Sequence, residues 1–232
     1  MTRDRQKHVA YAAFLLMVSI FGLAISTALL MNTPTFVSAP SYRRTLIAFA
    51  YDVVCVAGIL AALFPVACSR AFGAQFSSVE SVQVLGIRAT RLLGLLVIHG
   101  HHTLGSELTK HELLVWGRSF CATCYGLLTG AVVSLTIITA FAVSGWPGWV
   151  GTYSVHLAYS IGVVAVITGL LQPLMTHVGA KVRFVLAFVF VVGTSLMLLA
   201  TELLTANLVA DLFVVLLAIF WLLSRISLSH RN

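Results

Sequence analysis

His99-Gly100-His101-His102, then His111, then Gly117-Arg118-Ser119-Phe120-Cys121-Ala122-Thr123-Cys124-Tyr125-Gly126-Leu127-Leu128-Thr129-Gly130: along this stretch the chain changes character. As far as Phe120 it is polar and carries histidine and arginine, and from Tyr125 it stays apolar to Ser144. About 20 apolar residues in a helix span the hydrocarbon core of a bilayer. The junction is therefore read as a polar insert running into a membrane-spanning helix.

Outward from this junction the same reading repeats. Apolar runs occupy 9–31, 45–68, 125–144, 153–176, 184–204 and 208–223. The first is longer than the 7–15-residue apolar region of a signal peptide, so it is read as a retained helix. The last is short for a span, so it either starts a turn earlier or thins the bilayer locally. Connections after the third run are brief, and one holds Trp146 and Trp149, residues suited to the membrane interface. Only 69–120 is long and polar. Within it, 82–98 is apolar at intervals and broken by Arg88 and Arg91, which predicts a helix lying in the interface.

Composition agrees with this reading. Apolar residues make up 59% of the 232 and charged residues 9%, against about 45–50% and about 25% in soluble domains. The expected fold is an all-α integral membrane protein, one domain over 1–232. It is a six-helix transmembrane bundle with a cytoplasmic Cys/His insert between its second and third helices.

The net charge of +7 raises the question of nucleic acid. No Lys/Arg run interleaved with aromatic residues is present, so the lipid bilayer is the expected partner and nucleic acid is not. The basic residues mark topology instead. With six spans, twelve of the fourteen Lys and Arg fall on the side of the chain ends and the insert, and only Arg43 and Arg44 fall opposite. By the positive-inside rule, both termini and the insert face the cytoplasm of a multi-pass cell-membrane protein.

Four cysteines do not make a disulfide scaffold. Cys121 and Cys124 form a Cys-x-x-Cys pair, a spacing at which two thiolates can hold one ion. Zinc completes its tetrahedron with two further Cys or His ligands. His111 stands ten residues before Cys121, and His101 and His102 a similar distance before His111, so a loop-held site is within reach. Cys68, at the end of the second run, is an additional candidate. His99 is expected in packing or as a residue orienting a ligand, and His177 as a helix-end residue. The expected cofactor is zinc.

The residues Gly100-His101-His102, His111, Gly117-Arg118 and Phe120-Cys121-Ala122-x-Cys124-x-Gly126-Leu127, with Gly130 one turn on, resemble a family of prokaryotic polytopic membrane proteins. That family is a domain of unknown function with a His-rich segment ahead of Cys-x-x-Cys-x-Gly at the head of a transmembrane helix. The resemblance covers about 65–130, including Cys68-Ser69-Arg70. Thr103-Leu104-Gly105 stand where the family usually has Pro and Cys, so no fixed ligand set is implied, and the family brings no activity.

Other chemistries stay open at this stage. Covalent haem attachment would need His after the second Cys, where this chain has Tyr125. A thiol–disulfide oxidoreductase could use Cys121 and Cys124, because a helix N-terminus lowers thiol pKa. A metalloenzyme would activate water on zinc with Glu107 or Glu112 as base. A small transporter could use Asp52, which lies within the second run and is functional by default at that depth. His156, of similar depth, is its expected partner, and Glu202 and Asp211 fall near the same end of the bundle. The leading expectation is a structural or accessory zinc site in a membrane protein, with enzymatic activity undecided.

Overall fold

The computed structural model describes residues 3–32, 42–63, 88–92, 95–99, 112–115, 118–145, 151–172, 175 and 178–231. Six helices make up the membrane part: α1 (Arg3–Met31), α2 (Arg43–Leu63), α3 (Ala122–Ser144), α4 (Thr152–Leu171), α5 (Ala180–Thr205) and α6 (Leu208–Arg231). Within the first five, spans of 20, 21, 23, 20 and 26 residues are long and apolar enough to cross a membrane. The apolar part of α6, Leu208–Ser224, is shorter. The chain is a multi-pass, membrane-embedded protein.

The helices extend or trim the expected runs by a few residues. α2 is described to Leu63, two residues before Pro65, and α4 ends at Leu171 with Gln172 as its C-cap and Pro173 next. α3 begins three residues early, at Ala122, and so takes Cys124 into its first turn.

Where it is described, the insert is β rather than helical. β1 (Arg88–Leu92) pairs antiparallel with β2 (Leu95–His99), and β3 (Glu112–Val115) with β4 (Arg118–Cys121), as separate two-stranded sheets. Over 88–92 and 95–98 this corrects the interfacial helix expected across 82–98, of which 82–87 and 93–94 lie outside the described residues. Thr90, Val97 and Ile98 are β-branched and favour a pleated strand. Leu92 stands opposite Leu95, so only Leu93-Gly94 separate the strands, the length of a tight hairpin connection.

α5 is the axial helix, with 56% of its most apolar window buried, against 22–33% in the other four spans. α4 runs antiparallel to it. Gly162 faces the Gly193 backbone and Met197, and Gly169 lies under Phe190. α3 runs parallel to α5, with Gly126 against the Phe184 carbonyl and Gly130 against the Phe188 carbonyl. Hydrocarbon tails are as apolar as leucine, so helices associate in a bilayer by close packing and polar contacts, and small residues allow the approach. Gly126 therefore serves α3–α5 packing.

Buried hydroxyls complete the contacts between helices. Ser134 on α3 donates to Ser195 on α5 at 3.2 Å, and Tyr159 on α4 donates to Ser26 on α1 at 3.0 Å. The Trp221 indole on α6 donates to Ser19 on α1 at 3.1 Å. Large apolar side chains such as Phe14, Met17, Phe21, Phe49, Val164 and Leu216 point outward, as a lipid-facing surface requires.

These contacts alternate the helix directions and give the bundle two ends. At one end lie the starts of α1, α3 and α5 and the finishes of α2, α4 and α6. The starts of α2, α4 and α6 and the finishes of α1, α3 and α5 make the other.

Candidate functional site

The Cys121–Cys124 pair sits at the first of these ends, on a strand-to-helix junction. Cys121 is at once the last residue of β4 and the N-cap of α3, with φ −64° and ψ 118°. The change from extended to helical backbone turns Cys124 back toward it. Both thiols are half-buried, and the Cys124 S–H donates to the Cys121 sulfur.

That hydrogen bond is the largest influence holding the Cys121 pKa down, to about 7. Burial opposes it, while the backbone N–H groups of Cys124 and Thr123 and the Arg183 guanidinium favour the thiolate. The N–H groups are the unsatisfied donors of a helix start, where negative charge is stabilised. The arrangement yields one good thiolate with a second thiol in contact. Such a pair can bind a soft metal ion or exchange with a disulfide.

Two residues outside the sequence expectation brace the junction. Gln172, buried at the end of α4, donates its side-chain amide to the Thr123 hydroxyl at 3.0 Å and to the Arg183 carbonyl at 3.2 Å. Arg183, in the first turn of α5, donates to the Val178 carbonyl and the Met175 carbonyl, both at 3.0 Å. The ends of α4 and α5 are thereby held against Cys-Ala-Thr-Cys. In the sequence, the Gln172-Pro173 step and the lone Arg183 at a span edge were the available signals.

Of the other expected ligands, His101, His102, His111 and Cys68 lie outside the described residues, as does His177. Among the described residues no three His, Cys, Asp or Glu side chains converge on a common point. The β3–β4 register nevertheless bears on His111. It places Glu112 opposite Cys121, and His111 is the preceding residue in the chain.

Asp52, within α2, accepts a hydrogen bond from Thr139 of α3 at 3.1 Å. The expected partner, His156, is instead exposed on α4, and its carbonyl accepts from Ser160 at 3.0 Å. Similar depth along two helices does not bring them to the same side of the bundle.

At the opposite end, α2, α5 and α6 converge in an ion cluster. Arg43 Nη2 lies 2.8 Å from Glu202 Oε1, and Arg43 Nη1 lies 3.7 Å from Asp211 Oδ2. Arg44 approaches Glu202 Oε1 at 3.9 Å and stacks over Phe141, 5.1 Å from the ring centroid. In the sequence Arg43 served only as a topological marker; in the fold it is the cation of a buried cluster.

No protein family, curated protein or solved structure matches this chain.

Proposed function

We propose that this membrane protein holds one zinc ion at the insert-bearing end of its bundle, as a structural or accessory centre that fixes the insert to the helices. Cys121 and Cys124 supply two thiolates, and His111 with His101 or His102 completes the tetrahedron. The observation that carries this reading is the pairing of Glu112 with Cys121. It brings the strand that begins just after His111 alongside the cysteines. With four protein ligands the ion has no open position for water, which is the structural form of a zinc site. The twelve-to-two distribution of basic residues favours a cytoplasmic position for this end and for both termini.

Metal analysis of the purified protein tests the site. Wild type is expected to carry about one zinc per chain, the number one tetrahedral site holds, and Cys124→Ser and His111→Ala to carry far less. A wild-type protein free of metal overturns the reading. A reporter fused after Arg231 tests the topology and should stay inside the cell.

A second reading is favoured by a different observation, the lowered pKa of Cys121 beside a second thiol. On it the pair cycles between dithiol and disulfide with a thiol partner. A metal-free protein whose two cysteines titrate as one redox couple would select it.

A further inference from the structure

The Arg43–Glu202–Asp211 cluster holds one more carboxylate than it satisfies. Arg43 and Glu202 are each 6% exposed and Asp211 0%. Glu202 takes the short bond at 2.8 Å, and its carbonyl accepts a longer one from the same guanidinium at 3.4 Å. Arg44, at 3.9 Å, adds to Glu202's share. Asp211 is left with Arg43 Nη1 at 3.7 Å, beyond hydrogen-bond reach. Neither Asp211 oxygen nor Arg43 Nη1 has a hydrogen-bond partner among the described residues.

A fully buried carboxylate without a hydrogen bond is costly when ionised. Other groups near it do little to change this. α2 brings Arg43 and Arg44, and α5 brings Glu202. The neighbouring ends of α1 and α3 carry no ionisable residue. On α4, His156 is exposed and the Tyr159 hydroxyl is engaged by Ser26 and Thr27. With both acids ionised, Arg43 faces two carboxylates while the more exposed Arg44 reaches only Glu202, at 3.9 Å; with Asp211 protonated, the close Arg43–Glu202 pair keeps its 2.8 Å contact. The first turn of α6 stabilises an anion there, so the ionised state is also accessible.

We infer that Asp211 is a proton-binding site whose charge state decides whether Arg43 ties α2 to α5 alone or bridges α5 and α6. The proton comes from and returns to water at this end of the bundle, with no other chemistry. Once Asp211 ionises, Arg43 Nη1 closes on it from 3.7 Å, and the α2–α6 contact tightens. The site is separate from the cysteine pair and does not depend on zinc.

Infrared difference spectroscopy of the whole protein in lipid nanodiscs, stepped in pH, reads the protonated carboxyl directly. Wild type should show a carboxylic-acid band that titrates and is absent from Asp211→Asn. In Glu202→Gln the guanidinium is freed for Asp211, and the midpoint should fall by roughly one to three pH units, the effect of an arginine beside a carboxylate. If Asp211→Asn does not assemble, the Glu202→Gln shift decides alone. A wild-type protein with no titrating band, a band that survives Asp211→Asn, or an unshifted Glu202→Gln midpoint overturns the inference. Sodium or potassium raising the melting temperature of wild type but not of Asp211→Asn also overturns it, by making the site one for a metal cation.

Discussion

The Gln172 side chain reaches across from the end of α4 and donates to the Thr123 hydroxyl between the two cysteines, at 3.0 Å. A buried amide that also holds the Arg183 carbonyl fixes three helix ends together. Replacing it with Ala leaves buried acceptors unpaired, at about 1–3 kcal/mol. Gln172→Ala should lower the melting temperature in detergent and change the alkylation rate of Cys121. An unchanged rate would mean that Gln172 supports the bundle and leaves the thiols alone.

Cys121 should react as a thiolate with a midpoint near pH 7 in metal-free protein, in keeping with its lowered pKa. Alkylation rate against pH measures this. Cys124→Ser replaces the thiol donor, so the midpoint should change while the backbone donors remain.

Linkage adds a stability prediction from the same residue. A thiol with folded pKa about 7, against 9.0 ordinarily, binds fewer protons folded than unfolded between these values. Stability from this group is therefore full above the unfolded value and is lost as pH falls through about 7. Melting temperatures of metal-free wild type should rise from pH 7 toward 9 more steeply than those of Cys121→Ser.

The α3–α5 contact predicts contrasting glycine variants. A Cβ at Gly126 meets the Phe184 carbonyl and Ala187, whereas one at Gly151 meets nothing within 4 Å. Gly126→Ala should destabilise by about 1–3 kcal/mol, as overpacking does, and Gly151→Ala should be close to neutral. Thermal unfolding of the two side by side checks the close approach of α3 to α5.

Trp221→Phe keeps most of the apolar ring but removes the 3.1 Å bond to Ser19. Interhelical hydrogen bonds in membranes average about 0.6 kcal/mol, so the loss should be small. Trp221→Ala should cost about 3–5 kcal/mol, because it empties a fully buried site.

All six helices were legible in the chain because a bilayer demands long apolar runs, and nothing else in the sequence imitates them. The cysteines at a helix start were legible for a similar reason, since polar insert and apolar span meet there. Lateral arrangement was not. Arg43 meets Glu202 from 159 positions away, and hydropathy carries no record of which helix faces which. Asp52 shows the same limit: its depth could be counted along α2, but the choice of Thr139 over His156 depends on rotation about the helix axis. The strands of the insert were obscured by apolar residues spaced closely enough to read as a helix.

Cys121 ends a strand and Cys124 opens a helix, so the two sulfurs belong to different mechanical parts of the protein. An ion or a covalent bond joining them would act as a clasp between the strand pair and the helix. Half a turn past that clasp, Gly126 rests on the α5 backbone. Fastening or releasing the sulfurs would thus be felt first not at the surface but along the seam of the two most intimately fitted parallel helices.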